Sequence, residues 1–414
     1  MASFSATLLM TAFGAFIIML LAILLLVLFV WKEHRKYGHI PGPKRRSFFR
    51  GNFPEFDEKG KLLSELFLEH ALLYGPVFIW WYFFWPIVVI SGPEFIKYGL
   101  ITLNLPKAPS SYNALAYLLG QHRFLGSGLV TQLNHQKWKL KRNHINPAFH
   151  RSYLKDLVPQ FNTIADALIS KLSRIADGKT VIDMSNEFQK VTLDVIAKVA
   201  FSLDLHCLED HNCKVHKNLS QDTTANQLSF TLLETLLNED IENRICKEVD
   251  SVLGGKETVE FYDIAKLGYL GQALKESLRK HPLVGATARV TTKTEKFGQY
   301  LIPKGTKLHF SIFVSHHLPE FWDSPESFLP ERFADTNKPS NFVYFPFSCG
   351  PRVCIGKVFS AINATIVMAR IFQKFKFQLV PGQTVQRGEN LTLQPKGGVL
   401  CTVKERTSAI KINS

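Results

Sequence analysis

The stretch FPFSCGPRVCIG, Phe345 to Gly356, decides how the whole chain is interpreted. Its two cysteines, Cys349 and Cys354, are separated by four residues and lie in a run of apolar residues, glycines and one arginine. A thiol in this setting could form a disulfide, belong to a zinc site, or serve as the single soft ligand of a larger group. The rest of the sequence bears on which of these uses applies.

Neither a disulfide nor zinc is well supported. The 414 residues contain only six cysteines, without repeated spacing, which argues against a disulfide framework. A zinc site would need a second Cys or His pair at short spacing, and the nearest histidines, His316 and His317, lie well upstream in a predicted loop. Zinc therefore stays a weak alternative.

The N-terminus predicts a membrane anchor. Residues 1–31 contain no charge and no proline and are long enough to cross a bilayer as a helix. Basic residues follow at Lys32, Arg35 and Lys36, so the positive-inside rule predicts that the remaining chain is cytosolic. We expect an anchor at 1–31, a basic, proline-rich linker at 32–54 and a catalytic domain at 55–414. A reducing cytosol further disfavours a disulfide.

The composition predicts a large folded body. The chain is 46% hydrophobic and 12% aromatic, enough for a substantial core. Its net charge of +14 comes from basic residues scattered along the sequence, which argues against nucleic-acid binding. Contact with anionic lipid or an acidic protein partner fits the charge better, and a merely solvated surface is the default explanation. Apolar residues recur at helical spacing from 136 to 253, and 225–253 is predicted as one helix. With short strands near 74–93 and the C-terminus, the fold class is α+β, mainly α-helical.

Glu276 and Arg279 are three residues apart on one predicted helical face. Such a pair on its own indicates a solvated surface ion pair. Arg332, which lies in the irregular stretch before the cysteine loop, could instead complete a buried Glu–Arg–Arg cluster that fixes the loop against the helix.

The cysteine loop has the features of a haem site. Gly350 and Gly356 permit close backbone approach, and Cys354 precedes a predicted helix whose amide groups would favour a thiolate. The planar guanidinium of Arg352 can donate two parallel hydrogen bonds to a carboxylate. Cys354 would then be the axial ligand of the iron, with Arg352 on a propionate.

These residues resemble the haem-binding signature of the cytochrome P-450 family, Phe-x-x-Gly-x-Arg-x-Cys-x-Gly. All of its fixed positions are present: Phe347, Gly350, Arg352, Cys354 and Gly356. The E-x-x-R pair, the PERF box at 330–333 and the W-x-x-x-R of Trp138 and Arg142 follow the family's order. The resemblance implies the cytochrome P-450 fold with small β-sheets and a bound haem b (iron protoporphyrin IX).

The resemblance also implies partners for that haem. Trp138, Arg142 and Arg289 would join Arg352 on the propionates, and Cys349 would pack as a small apolar residue. The enzyme would use O2 and electrons from NADPH, delivered by NADPH-cytochrome P-450 reductase. That flavoprotein would dock on a basic face formed in part by Lys137, Lys139 and Lys141. As in microsomal members, the location would be the endoplasmic reticulum membrane.

The family's oxygen-binding helix is represented by SQDTTANQLSF. Here Thr223 would hydrogen-bond the oxygen species and Asp222 would feed the proton relay. The small residues that should precede this motif are replaced by Leu219 and Ser220, and the roof helices upstream are missing. We therefore expect a segment to be deleted near 219–220, in part of the distal helices, which would leave the pocket open and turnover impaired.

The substrate expectation also comes from the resemblance. The C-terminal runs, such as LTLQPKGGVLCTVKER, look most like the animal cholesterol 24-hydroxylase branch, which implies sterol side-chain hydroxylation. A fatty-acid hydroxylase is the runner-up. A third hypothesis is a non-catalytic, membrane-anchored variant that competes for the reductase.

Overall fold

The computed structural model describes residues 2–116, 126–210, 223–337, 339–389 and 391–406. Helices dominate and strands are short, as the sequence predicts. The helices are α1 Ala2–Tyr37, α2 Phe53–Lys59, α3 Leu63–Tyr74, α4 Pro93–Lys97, α5 Pro109–Ala116, α6 His135–Ile145, α7 Arg151–Asp156, α8 Val158–Ser173, α9 Met184–Phe201, α10 Thr223–Leu236, α11 Glu239–Leu253, α12 Phe261–Ile264, α13 Gly268–Lys280, α14 Ile312–His317 and α15 Lys357–Lys374.

The strands are β1 Val77–Tyr82, β2 Trp85–Ile90, β3 Ile182–Asp183, β4 Ala286–Val290, β5 Glu295–Phe297, β6 Tyr300–Ile302, β7 Lys307–Ser311, β8 Phe375–Leu379, β9 Arg387–Glu389, β10 Leu393–Pro395 and β11 Leu400–Glu405. The largest sheet has the order β1-β2-β7-β4. In it β1 and β2 form the predicted antiparallel pair, with Val77 opposite Ile90, and β2 runs parallel to β7. Because β7 also pairs with β4, this sheet joins the start of the body to the region before the cysteine loop.

The N-terminal helix α1 is long and apolar enough over Met10–Tyr37 to cross a membrane. It extends beyond the predicted end of the anchor at residue 31, so the first residues of the expected linker are helical. The end of α1 contacts the body: Tyr37 is 3% exposed, and its hydroxyl lies 2.8 Å from the Thr306 hydroxyl. The anchor is therefore attached to the large sheet by side-chain contacts as well as by the chain.

The main core is helical. The middle of α15 is buried from Ile362 to Phe372, and its apolar side chains pack with those of α8, α9, α10 and α11. A helix that is buried on all sides needs apolar residues around its whole circumference, which the sequence NATIVMARIF provides. This central helix begins directly after the cysteine loop, so the core fixes the position of the loop.

The prediction of one helix over 225–253 was wrong. The structure ends α10 at Leu236 and starts α11 at Glu239. The side chain of Asn238 accepts a hydrogen bond from the Ile241 amide at 3.4 Å and so caps the new helix. Apolar residues keep their helical spacing across this break, and a capping asparagine does not interrupt that pattern. The spacing alone therefore could not locate the end of α10.

Candidate haem site

The cysteine loop approaches the large sheet on one side and the central helix on the other. Gly350 has φ +74°, and a Cβ there would lie 2.5 Å from the Leu100 carbonyl oxygen, so only glycine fits. The Cys354 amide donates to the Phe347 carbonyl at 2.9 Å, and Gly356 precedes the first residue of α15. The loop is thus closed by its own backbone, with Cys354 at its exposed end.

The two cysteines have different surroundings. Cys349 is half-buried against the apolar core of the large sheet, which agrees with a packing role. Cys354 is exposed. The protein atoms near its sulfur still reduce its solvation, which raises the pKa of Cys354, whereas a hydrogen bond from the Gly356 amide and the charge of Arg142 lower it. The Gly356 amide, at the start of α15, thus acts in the direction that the sequence predicts for the helix start, although the effect of desolvation is larger.

Arg142 lies one helical turn after Trp138 on α6. Its Nη1 donates to the Val353 carbonyl at 2.7 Å, and its Nε donates to the Asn146 side chain at 2.8 Å. The structure therefore places this predicted propionate partner against the cysteine loop, where it supports the residue next to Cys354 and acts electrostatically on the thiol.

Arg352 and Trp138, which the family resemblance assigns to the same haem propionates, are in contact with each other. The guanidinium of Arg352 lies 4.0 Å from the centre of the Trp138 ring, and its Nη1 donates to the Gln132 carbonyl at 3.1 Å. Burial and the nearby charge of Arg289 lower the pKa of Arg352 to about 10. The stack keeps the guanidinium in one orientation.

Arg289, on β4, is 3% exposed. Its Nη1 donates to the Thr287 hydroxyl at 2.7 Å and to the Tyr112 hydroxyl at 3.4 Å. Thr287 and Tyr112 are themselves 3.1 Å apart through their hydroxyls. These neutral partners orient the guanidinium without neutralising its charge.

Lys107 was missed by the sequence reasoning. It is 8% exposed, pairs with Arg289 in an isolated antiparallel bridge, and holds its ammonium 4.1 Å from the centre of the Tyr112 ring. Burial, Arg289 and Arg352 together lower the pKa of Lys107 to about 7. Its sequence context, a single lysine in the apolar run ITLNLPKAP, could have indicated that this lysine is buried. A buried lysine is expected to have a specific partner or ligand.

Lys107, Arg289 and Arg352 form what we call the cation cluster. None of the three makes an ion pair with a carboxylate in the described part of the chain. The charges of Arg289 and Arg352 lower the pKa of Lys107, and that of Arg289 lowers the pKa of Arg352. Buried cations without counter-ions are unfavourable, so this arrangement suits a ligand that carries two negative charges. The two propionates of haem, attached to a ring whose iron an exposed cysteine can bind, meet that requirement. The donor set therefore fits haem.

The Glu276–Arg279 pair is fully buried rather than a solvated surface pair. Arg279 donates to both carboxylate oxygens of Glu276 at 2.8 Å and to the His316 carbonyl at 2.9 Å. Arg332 donates to the same carboxylate at 3.3 Å, and the Leu329 amide does so at 3.0 Å. The structure thus brings the three predicted residues together and ties α13 to the stretch before the cysteine loop.

The predicted proton-relay residues lie at the start of α10. Thr223 is the first residue of this helix and is exposed, whereas Asp222 falls outside the described residues. The next residue, Thr224, is 8% exposed, and its hydroxyl lies 3.1 Å from that of Ser360 on α15. This contact holds the start of α10 beside the helix that follows Cys354.

Comparison with known proteins agrees with this geometry. The family model for Cytochrome P450 matches residues 41–221 and 218–402. Similar proteins include Cytochrome P450 3A7 of Homo sapiens, 24% identical over 504 aligned residues (93% of this chain, 94% of the relative), and Cytochrome P450 4F3 of Homo sapiens, 26% identical over 478 (88% and 90%). Cytochrome P450 3A19 of Capra hircus aegagrus is 35% identical over 158 residues, covering 38% of this chain and 72% of the relative. The chain belongs to the cytochrome P450 family, whose members are haem-dependent monooxygenases that use O2 and electrons from a redox partner.

Proposed function

We propose that the chain binds haem b through Cys354 and the cation cluster and inserts one oxygen atom from O2 into a lipophilic substrate. The observation that carries this proposal is a set of two buried cations, Lys107 and Arg289, and a partly buried one, Arg352, none of which has a carboxylate partner in the described chain. An exposed thiol, that of Cys354, lies on the same loop as Arg352. When bound, the haem iron supplies oxygen activation, which no amino-acid side chain provides.

The residues of the chain then have separate tasks. Cys354 would hold the haem iron, and coordination to a metal would deprotonate its thiol. The Gly356 amide and Arg142 stabilise the resulting negative sulfur. Arg352, Arg289 and Lys107 bind the propionates, while Trp138 and Tyr112 hold two of these cations in place.

On the other face, Thr223 and Asp222 would position a hydroxyl and a carboxyl for proton delivery. The exposed start of α10 supports this role, because a proton relay needs contact with water. Asp222→Asn and Thr223→Ala should slow product formation while leaving haem binding unchanged.

We propose that a segment is deleted near residues 219–220. Two facts support this proposal: the alignments with Cytochrome P450 3A7 and 4F3 extend over more positions than this chain has residues, and the two family-model matches meet at 218–221. Missing roof helices would leave the distal side open to water, with weaker haem retention and poorer coupling of electrons to product.

A carbon monoxide difference spectrum of the purified, reduced protein tests both the cofactor and the deletion. The proposal expects a thiolate-type band of reduced height that is abolished in Cys354→Ala and retained in Cys349→Ala. An equal band in Cys354→Ala would overturn the ligand assignment. A full-height band with normal turnover in the unmodified chain would overturn the effect of the deletion.

As the substrate we propose a sterol, hydroxylated on its side chain as in cholesterol 24-hydroxylation. The support is the sequence likeness in the C-terminal runs alone. Product analysis with cholesterol and with a long-chain fatty acid, on the chain with the segment restored, decides between them. A fatty-acid product without a sterol product would overturn this choice.

A non-catalytic role is the second candidate, and the shortness of this chain relative to those alignments favours it. Basic residues on α6 support reductase docking: Lys137 and Lys141 are one turn apart on the same side of the helix, and Lys139 is exposed elsewhere on it. Binding of NADPH-cytochrome P-450 reductase without any NADPH-dependent product would favour the competitor. Product formation would exclude it.

For location, we propose that α1 anchors the chain in the endoplasmic reticulum membrane as a single span, with the body on the cytosolic side. The apolar helix and the basic residues that follow it support this topology. Protease protection in microsomes tests it: the body should be digested without detergent.

A further inference from the structure

A buried histidine holds the cysteine loop at its first residue. His316, at the end of α14, is fully buried, and its Nε2 accepts a hydrogen bond from the Phe345 amide at 3.0 Å. Phe345 begins the cysteine loop, and it is itself 3% exposed. The two rings meet edge to face, with centres 5.7 Å apart. His316 thus contacts both the backbone and the side chain of the first position of the loop.

The other nitrogen of the same ring contacts α13. The Nδ1 of His316 lies 3.2 Å from the Arg279 carbonyl, which can only accept, so Nδ1 carries the proton and Nε2 is the acceptor. Arg279 in turn donates from Nη1 to the His316 carbonyl at 2.9 Å. Burial and the charge of Arg279 lower the pKa of His316 to about 3. The ring therefore stays neutral and keeps the lone pair that the Phe345 amide needs.

Between Phe345 and Cys354 the loop contains a residue in an unfavourable conformation. Ser348 has φ +62°, in the left-handed region that is unfavourable for a residue with a Cβ, and its hydroxyl is buried without a hydrogen bond in the described chain. The Ser348 amide donates to the Phe345 carbonyl at 2.8 Å, and the Cys354 amide donates to the Phe347 carbonyl at 2.9 Å. A strained residue keeps its conformation only where surrounding contacts fix the chain, and the hold on Phe345 is such a contact.

We infer that His316 is a positioning residue for Cys354: by holding the Phe345 amide, it keeps the loop in the strained conformation that presents the sulfur to the haem iron. This inference rests on the proposal that Cys354 binds haem. The buried Glu276–Arg279 pair is connected to the loop by hydrogen bonds through this imidazole. Loss of the acceptor should therefore loosen the loop even where the pair itself is intact.

The neighbouring histidine provides a matched control. His317 is equally buried, its Nδ1 donates to the Phe313 carbonyl at 2.8 Å, and its ring stacks on that of Phe313 with centres 4.1 Å apart. Its Nε2 has no hydrogen bond in the described chain and lies 3.6 Å from the Glu326 carboxylate. His317 therefore packs in the same helix without a hydrogen bond to the cysteine loop.

Two amide side chains separate the two contacts of His316. His316→Asn places its amide near the position of Nδ1, so the contact with Arg279 can persist while the Phe345 amide loses its acceptor. His316→Gln places its amide near Nε2 and can still accept from Phe345. Hydrogen–deuterium exchange at the Phe345 amide of the haem-free protein should be on the order of tenfold faster in His316→Asn, the factor expected for one lost hydrogen bond. Exchange in His316→Gln and in His317→Asn should stay near that of the wild type.

The carbon monoxide difference spectrum of the haem-loaded protein reports on the sulfur. His316→Asn should lower the thiolate-type band, whereas His316→Gln and His317→Asn should keep it. Ser348→Gly in the His316→Asn background should recover the band, because glycine adopts φ +62° without strain. The same double variant should still exchange rapidly at Phe345, because the acceptor is still missing.

The outcomes separate this inference from the proposed function. Unchanged exchange at Phe345 in His316→Asn would overturn the contact, and faster exchange with an unchanged band would overturn its role in positioning Cys354. Equal loss of the band in His316→Asn and His317→Asn would also overturn that role, since general destabilisation would be the cause. If the wild type has no thiolate-type band, the proposed haem function fails and the inference fails with it.

Discussion

The guanidinium of Arg352 stacks on the indole of Trp138, 4.0 Å from the ring centre, and thereby joins the cysteine loop to α6. The contact unites two residues that the sequence resemblance assigned to the same ligand group. A planar, delocalised cation can stack on a ring and still direct N–H groups sideways, which an ammonium cannot do. The stack therefore specifies arginine at this position.

Replacing Arg352 with lysine should weaken haem retention although the charge is kept. The lost stack corresponds to about 1 kcal/mol, or roughly fivefold faster haem loss. Transfer of haem to apomyoglobin, followed by absorbance, measures this rate. Trp138→Phe, which keeps a ring, should lie between the wild type and Trp138→Ala, and Lys139→Gln on the same helix should have no effect. A wild-type rate in Arg352→Lys would contradict a role for the stack.

Lys107 should make the stability of the haem-free protein depend on pH. Its folded pKa of about 7 lies below its ordinary value of 10.5, so between these values the unfolded chain binds the extra proton. Stability should therefore rise with pH across this window, by up to about 1.4 kcal/mol per pH unit from this group. Urea unfolding at a series of pH values measures the slope.

The control for this prediction is Lys107→Met, which keeps the length of the side chain but cannot take up a proton. Its haem-free form should be more stable than the wild type near pH 7, and its slope between pH 7 and 10 should be smaller. If Lys107 binds a propionate as proposed, the same variant should also bind haem less tightly. Identical slopes in the two proteins would refute the buried charge.

The buried Glu276 carboxylate should be essential to the fold. Glu276→Ala leaves the guanidinium of Arg279 buried without its carboxylate, a change that destabilises by about 3–5 kcal/mol. Chemical unfolding monitored by circular dichroism measures the loss. The double variant Glu276→Leu/Arg279→Met removes both charges and should be less destabilised than Glu276→Ala. If the two variants were equally unstable, loss of packing rather than an unpaired charge would be responsible.

Particular residues show how much of the site could be predicted from the sequence. Phe347, Gly350, Arg352, Cys354 and Gly356 were identifiable because the geometry of a loop beside a ligand restricts residue types at fixed spacing. The Glu276–Arg279 pair looked like a surface pair on its own, since helical spacing says nothing about depth of burial. The pair is removed from water by segments distant in sequence, namely the stretch around Leu329 and the end of α14 at His316.

Other features could not be obtained from spacing. Lys107 joins Arg289 through an isolated bridge between distant segments, and no local pattern reports such a pairing. The break at Asn238 was hidden because a helix cap is a single residue inside continuous apolar periodicity. The raised pKa of Cys354 depends on how much protein surrounds the sulfur, which local sequence does not specify.

Arg142 provides the last prediction, because its charge lowers the pKa of Cys354 against the effect of burial. In the haem-free protein, Arg142→Met should raise that pKa further, so alkylation of Cys354 by iodoacetamide at pH 8 should be slower than in the wild type. Mass spectrometry of the modified peptide separates this site from Cys246, Cys349 and Cys401, whose pKa values burial raises to about 11, 11 and 12.

Arg142→Lys keeps the charge but loses the hydrogen bond to the Val353 carbonyl, so it distinguishes electrostatics from loop support. A rate near that of the wild type in Arg142→Lys, with a slow rate in Arg142→Met, is the expected result. Equally slow rates would mean that Arg142 acts by holding the loop, and unchanged rates in both would remove it from the site.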